Sequence, residues 1–311
     1  MSVVVVGSAN LDLVYRVERI PSAGETVLAL GSDAVPGGKG NNQVTAAARA
    51  GAAAGFIAAL GADAAGDRLV GSLVDSGVFL HLRRVDAPTG TAVISVDDRG
   101  ENAIVVDSGA NRTLTSLSPA ERAVIADARV LLLQLETPLE AVAEAASVAR
   151  DAGTIVVLNA APIRSLPHEL LDSVDVLIVN EHEAALLASE VAGEHSVDAD
   201  EEELATALSA LGVAIIITLG ARGALVCVPG EGRLAVPGLL VEAVDTTGAG
   251  DTFCGALVAE LERSGASAPD LATLVRCAEF ATAAAALSVQ RPGAVPSIPT
   301  LEEISDFRST R

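Results

Sequence analysis

Short, unbroken apolar runs rich in β-branched residues recur along the chain at 3–7, 130–135, 154–159, 174–180 and 213–219. A strand without polar alternation is buried on both faces, which predicts a parallel sheet covered on each side. Segments with helical spacing lie between the runs, at 39–50, 138–150, 181–189 and 201–211. Strand and helix in alternation is the pattern of a doubly wound α/β fold with a mostly parallel central sheet. Two regions, 13–33 and 89–107, break the rhythm by alternating apolar and polar residues. In the second, stretches 91–97 and 101–107 flank Asp98-Arg99-Gly100, a hairpin turn. These strands predict a small separate β-sheet that covers a ligand as a lid; the alternative is an extra edge on the main sheet. No repeat or low-complexity linker divides the chain, so residues 1–311 read as one domain carrying this flap.

Composition narrows the function. Half of the 311 residues are hydrophobic and a fifth are charged, enough for a large core. Aromatic residues make up only 2%, which disfavours a surface that stacks bases. With 20 basic against 41 acidic residues, the formal charge of −21 repels nucleic acid and anionic membranes, and no Lys/Arg cluster reverses it locally. The same charge repels ATP, so a nucleotide site here must rely on backbone amides, a few local cations and a metal ion. Cys227, Cys254 and Cys277 have neither CxxC nor His-paired spacing, which suggests reduced thiols. The apolar run behind Met1 is too short for a signal peptide, and the Ala-rich stretch 281–289 is too short to span a bilayer. A cytoplasmic protein is expected.

The strongest local signal is Asp245-Thr246-Thr247-Gly248-Ala249-Gly250-Asp251, followed by a helical pattern to Leu261. Two glycines and an alanine at a helix start leave backbone N–H groups bare where the helix dipole is positive. That suits Gly248, Ala249 and Gly250 to an anion hole for a transferring phosphoryl group. Asp251 at its lip could accept a proton from an attacking hydroxyl, or serve only as a helix cap. A second cluster, Gly37-Gly38-Lys39-Gly40-Asn41-Asn42-Gln43, also opens a helix. It is not a P-loop, because Asp33 and Gly40 stand where a glycine and a Ser/Thr are needed, and neither cluster completes GxGxxG. Further polar groups fall at the carboxyl ends of predicted strands, where open α/β sheets bind ligands. They are Asn10 and Asp12 after the first strand, Glu136, Asn180 with Glu183, and the turn around Thr218 to Gly223.

Together these residues resemble the ribokinase, or PfkB, family of sugar and nucleoside kinases, over essentially residues 3–299. The resemblance rests on the glycine cluster at 37–42, on Asn180–Glu183 as NxxE, and above all on 245–251 as DTxGAGD. Within that family the chain looks most like the ribose kinases, in Asn10-Leu11-Asp12, 38–42, Pro88-Thr89-Gly90, Gly109-Ala110-Asn111 and 291–294. The resemblance implies an ATP-dependent kinase that phosphorylates D-ribose at O5. It assigns the sugar to Asn10, Asp12, Gly38, Lys39, Gly40, Asn41, Asn42 and Glu136, with Asp251 as base. It assigns ATP to Asn180, Thr218, Leu219, Gly220, Ala221, Arg222, Gly223, Gly250, Asp251 and Thr282, and Mg²⁺ to Glu183 through water. It implies K⁺ beside the anion hole, at Asp245, Thr247, Ser288, Arg291, Gly293 and Ser297. Asp245 has no obvious basic neighbour in sequence, which suits a carboxylate matched by an ion. Two positions depart from the family pattern, Asn41 where Ala is common and Thr282 where a larger polar residue is common.

Other readings remain. Adenosine or another sugar could replace ribose, although a purine wall is harder to build with one Tyr, five Phe and no Trp. A phosphorylated sugar would need lid cations, for which Arg16 and Arg19 are available. A binding regulator without catalysis is disfavoured by the presence of Asp251 and Lys39, and an NAD enzyme by the failed dinucleotide fingerprint. The alternating lid strands leave an apolar face that predicts a homodimer joined through the lids.

Overall fold

The computed structural model describes residues 1–192 and 200–310. The chain opens with β1 (Val3–Val6), then β2 (Asn10–Arg16), β3 (Gly31–Gly37) and α1 (Lys39–Arg49). There follow β4 (Ala54–Gly61), α2 (Ala64–Asp75), β5 (Phe79–Val85), β6 (Gly90–Val96) and β7 (Asn102–Asp107). The middle alternates α3 (Pro119–Ala126), β8 (Val130–Leu133), α4 (Leu139–Ala152), β9 (Ile155–Asn159), α5 (His168–Leu171), β10 (Val176–Asn180) and α6 (Glu181–Ala192). The last third holds α7 (Glu201–Leu208), β11 (Ala214–Thr218), β12 (Gly223–Val228) and β13 (Gly232–Pro237). Four helices end it: α8 (Ala249–Ser264), α9 (Leu271–Ser288), α10 (Ala294–Ser297) and α11 (Leu301–Ser309).

Among the described residues nine strands form one sheet in the order β13-β12-β11-β10-β9-β8-β1-β4-β5. It is parallel from β11 to β5, and the β12–β13 hairpin adds an antiparallel edge. The apolar runs behave as their pattern requires. In β1, Val3 and Val5 enter one core with residues of α1, α8 and α9, while Val4 and Val6 enter the other with α4. Sequence order reverses at β1, which pairs with β8 on one side and β4 on the other. The helices leaving β1 and β8 lie on opposite faces, so a crevice opens at the carboxyl ends of these two strands.

The lid is a separate four-stranded sheet in the order β3-β2-β6-β7. The pairs β2–β3 and β6–β7 are antiparallel and β2–β6 is parallel. Its bounds differ from the alternation at 13–33. β2 begins at Asn10, β3 runs to Gly37, and residues 17–30 lie outside both strands. Asn10 and Asp12 therefore belong to the lid, because Asn10 pairs with Gly37 and Gly90 as soon as the chain leaves β1. The Ala-rich stretch at 281–289 also proves longer than it reads. It is the end of α9, 18 residues that pass by length and apolarity for a membrane span, 61% of them buried inside the protein. A helix packed so largely into its own core is accounted for without a membrane.

Helices α1 and α8 approach each other closely at Gly255. A Cβ on Gly255 would stand 2.3 Å from the Gln43 carbonyl oxygen and 2.8 Å from the Ala47 nitrogen. Gly255→Ala must spread the two helices, and overpacking of this kind typically costs about 1–3 kcal/mol. Urea unfolding of the variant is expected to show a lower midpoint with the slope unchanged. An unaltered midpoint would mean that the helices are free to move apart.

Candidate active site

The β1–β8 crevice is floored by the turn into α1. Gly38 has φ +87° and a Cβ there would lie 2.9 Å from the backbone of Ala9 and Asn10; a Cβ on Gly40 would lie 2.7 Å from that of Ser8. The glycines thus seat the start of α1 directly on the chain between β1 and β2, a close approach that any side chain would block. Gly40 and the wholly buried Asn41 face this packing, and their N–H groups go to Ser8 Oγ and Ser8 O. Asn41 Oδ1 is buried and has no hydrogen-bond donor in the protein.

Above this floor the expected sugar residues converge. Glu136 accepts from the Ser8 hydroxyl and from the Lys39 N–H at 3.0 Å. Asn10 is held by Asn111, whose Nδ2 donates to Asn10 Oδ1 at 2.8 Å while its Oδ1 accepts the Ala9 N–H. Asp12 lies beside Gly37, where a Cβ would meet its carboxylate at 2.0 Å. Burial, then Glu136 and Asp251, push Asp12 up to about 7. Asp251 holds the Lys39 ammonium above its ordinary value against the opposing effect of burial. Ser8 and Asn111 organise the site although their side chains were not among the expected contacts. Asn111 stands in the stretch 109–111 already marked by sequence, and Ser8 lies between the first apolar run and Asn10.

Asp251 is not the cap of α8. Gly248, with φ +75°, occupies that position, and Asp251 sits buried in the first turn. Its Oδ2 accepts from Asn42 Nδ2 at 3.0 Å and its Oδ1 from Gln43 Nε2 at 2.9 Å. The Ala249 N–H turns back to the Thr246 carbonyl at 3.2 Å. The N–H groups of Gly250 and Asp251 have no acceptor within the helix, as at any helix start. The bare amides and the positive end of the α8 dipole thus lie in the same helix turn as the carboxylate.

Beside α8 lies a largely apolar cleft of about 260 Å³, lined by Thr218, Gly220, Ala221, Gly223, Gly250 and Thr282 of the expected ATP set. The other members lie elsewhere. Leu219 packs into the core, because the residue after β11 turns inward. Arg222 is exposed and ion-paired with Glu181 and, at 2.7 Å, Glu201. Asn180 and Glu183 form a reciprocal cap on α6, Asn180 N–H to Glu183 Oε2 at 2.9 Å and Glu183 N–H to Asn180 Oδ1 at 2.8 Å. Burial pushes Glu183 upward, only partly offset by the Asn180 N–H and Lys39. Sequence reasoning missed the wall formed by Leu239, Leu240, Val241, Ala243, Phe253, Ala285 and Val289. The stretch 239–243 has no regular secondary structure and so no periodicity to read.

Asp245 proves to have partners that its sequence neighbours do not suggest. It accepts the Thr247 N–H at 2.9 Å and the Gly293 N–H at 2.7 Å. Burial pulls its carboxyl upward, but the Thr247 hydroxyl and those two amides outweigh it and hold Asp245 below the usual range. The Ser288 and Ser297 hydroxyls donate to the carbonyls of Ala285 and Ala294, and Arg291 pairs with Glu303. No group of three His, Cys, Asp or Glu side chains is placed to hold a metal among the described residues.

Residues 1–301 match the pfkB family of carbohydrate kinases. The chain is 40% identical to ribokinase of Haemophilus influenzae over 310 residues, 97% of each chain, and 37% identical to that of Schizosaccharomyces pombe over 316 residues, 98% of this chain and 96% of the relative. Among solved structures, ribokinase of Thermotoga maritima superposes with a TM-score of 0.89 at 34% identity, covering 99% of both chains. Ribokinase of Arabidopsis thaliana, solved with ribose and ATP, gives 0.88 at 33% identity, covering 98% of both.

The buried acid cluster makes stability depend on pH. Unfolded, Asp12 ionises near its ordinary 3.8; folded, it keeps its proton to about 7. Between those values the native state binds more protons, so Asp12 makes stability fall as pH rises through the window and has no further effect above it. Asp12→Asn removes this contribution. Thermal unfolding from pH 4 to 8 is expected to show a flatter profile for the variant and a higher Tm at pH 8 than wild type. Parallel profiles would mean that Asp12 is ionised in the fold.

Proposed function

Because the chain belongs to the pfkB family of carbohydrate kinases, we propose that it transfers the γ-phosphoryl group of ATP to O5 of D-ribose, with Asp251 as general base. Membership and the similarity to ribokinases make it a phosphotransferase with an alcohol acceptor. The observation that carries the reading of the site is the meeting, at one edge of the sheet, of a buried acceptor-only carboxylate with a helix start whose amides are bare. Sugar hydroxyls would bind between the lid residues Asn10 and Asp12 and the floor residues Gly38, Lys39, Asn42 and Glu136. The reacting hydroxyl would give its proton to Asp251 as its oxygen attacks the γ-phosphorus in line. The N–H groups of Gly250 and Asp251 would take the charge that develops on the phosphoryl oxygens. The nucleoside would lie in the cleft between Gly223, Leu240 and Thr282, and closure of the lid would exclude water.

A phosphorylated sugar would have to draw on Arg16 and Arg19, which pair at the surface with Asp33, at 2.7 Å, and with Glu25. Glu183 would hold Mg²⁺ through water, in keeping with the preference of that ion for retaining much of its hydration and with the absence of a three-carboxylate cage among the described residues. When bound, Mg²⁺ would neutralise phosphate charge. The oxygen-only set around Asp245 fits a large, weakly hydrated cation such as K⁺ better than a small one. Arg291 could contribute there only through its carbonyl. The free cysteines are in keeping with a cytoplasmic enzyme. The exposed lid residues Val93, Ile104, Val105 and Val106 suit a homodimer joined lid to lid.

Two experiments bear on this reading. Asp251→Asn is expected to fold and to lose about 10²–10⁴-fold in kcat with D-ribose, with little change in KM, as for loss of a general base. Retention of more than half of the wild-type rate would remove Asp251 from the chemistry. Initial rates in matched potassium, sodium and choline buffers are expected to be several-fold higher in potassium, and Asp245→Ala to abolish the difference. Equal rates in all three would leave Asp245 as a loop anchor only.

A further inference from the structure

A chain of buried amides runs from the end of β8 to Asp251. Gln134 Nε2 donates to Gln43 Oε1 at 2.7 Å. Gln43 Nε2 makes two bonds, 2.9 Å to Asp251 Oδ1 and 3.0 Å to Asn159 Oδ1. Asn159 Nδ2 donates to the Ile178 carbonyl at 3.2 Å. Gln43 and Gln134 are wholly buried. None of the three amides belongs to the sugar or ATP set described above.

The two ends of an amide have almost the same shape and opposite hydrogen-bonding roles, so a chain of them needs something to set its direction. Here the far end does so. The Ile178 carbonyl can only accept, so Asn159 must turn Nδ2 toward it and Oδ1 toward Gln43. The end of Gln43 that faces Asn159 Oδ1 also faces Asp251 Oδ1. Two acceptors require the NH₂ group there, with one hydrogen for each. Oε1 of Gln43 is left for Gln134 Nε2. Gln134 Oε1 lies 1.9 Å from where a Cβ on Gly7 would be, so the glycine that follows β1 leaves the room this amide needs.

We propose that Gln43 is a positioning residue for phosphoryl transfer: through this directed amide chain it fixes the rotation of the Asp251 carboxylate and holds Oδ1 as an acceptor. Oδ2, which Asn42 touches from the sugar side, is then the oxygen left to receive the hydroxyl proton. The inference rests on the reading of Asp251 as the base. It explains why a wholly buried polar side chain stands next to the sugar residues yet belongs to the core.

The charged or titratable groups that face Asp251 are Lys39 from α1, Asp12 from β2, Glu183 from α6 and Cys254 further along α8. None of them is substituted in the variants that follow, so the one titratable group each variant adds is the carboxyl at position 43 or 134. Gln43→Glu keeps the shape and places a carboxyl where two acceptors meet. A carboxylate losing its donor and gaining a like-charged neighbour ionises at higher pH. The acid limb of the kcat–pH profile is therefore expected to move up by about one unit or more, and kcat to fall on the order of 10²-fold from misorientation. KM for D-ribose and for ATP should change little. Gln134→Glu, which does not touch Asp251, presents an acceptor to Gln43 Oε1. It should move the acid limb in the same direction by less.

Folded variants of both kinds with wild-type kcat and acid limb would overturn the inference, and so would a lowered Tm with the acid limb unmoved. If Gln43→Glu does not fold, the acid limb of Gln134→Glu decides alone, and a wild-type position for it overturns the proposal. The reading of Asp251 as base fails separately, by retained turnover in Asp251→Asn.

Discussion

Two helices start within reach of each other at the carboxyl edge of the sheet, and the distance between them is set by backbone rather than side chains. At Gly255 the lack of a Cβ lets α8 meet the Gln43 carbonyl, the Ala46 methyl and the Ala47 nitrogen of α1. Because the contact is backbone on helix, no rotamer change can relax it. It brings Asn42 and Gln43 of α1 within hydrogen-bond distance of Asp251 in the first turn of α8. The start of α1 is in turn pressed on the β1–β2 corner by Gly38 and Gly40. The carboxylate, the polar floor and the root of the lid thus share one rigid reference.

That arrangement gathers negative charge. Asp251, Glu136 and Glu183 surround Lys39 and raise its affinity for a proton. Burial first, then Glu136 and Asp251, make Asp12 hold a proton to about 7. A site so charged suits a neutral polyol, whose hydroxyls can donate to carboxylates and accept from Lys39 and from a protonated Asp12. A nucleotide, repelled by an overall charge of −21, would meet instead an apolar cleft and a helix start. The topology keeps the two spaces apart, since the crevice opens between β1 and β8 and the cleft lies beyond α8 against β11 and β12.

The sequence was most legible where one physical demand acted alone. Strands buried on both faces are apolar, so β1, β8, β9, β10 and β11 stood out within a residue or two at each end, and the strands of the lid showed as alternation. The equally buried β4 did not stand out, because its Ala and Gly residues make no β-branched run. The DTxGAGD stretch was legible because glycines and a carboxylate at a helix start have few other uses. Legibility failed where a residue answered to a partner distant in sequence. Asn10 and Asp12 read as a tail of the first strand because the strand partners of Asn10, Gly37 and Gly90, lie 27 and 80 residues away. Asp245 looked unpartnered because one of its two donors, the Gly293 N–H, comes from 48 residues away. The cleft wall at 239–243 carries no periodic pattern, and Arg222, polar at a strand end, proved to serve Glu181 and Glu201 on the surface.

The segment from Val289 to Ile298 joins these parts from below. The Val244 and Asp245 N–H groups both reach the Val289 carbonyl, and Gly293 donates to Asp245. Gly248, the cap of α8, has so little room against Ala294 that a Cβ would lie 2.9 Å from Ala294 Cβ. From the other helix, Arg49 of α1 donates to the carbonyls of Val295 and Ile298 at 2.8 and 3.0 Å. Its guanidinium is half-buried, so those two bonds are not readily given up to water. The end of α1 and the start of α8 are therefore tied to one short segment as well as to each other at Gly255. A shift of that segment would move the bare amides of α8 and the floor residues of α1 together. Whatever stiffens it, whether Arg49 or an ion held by its carbonyls, acts on both halves of the site at once.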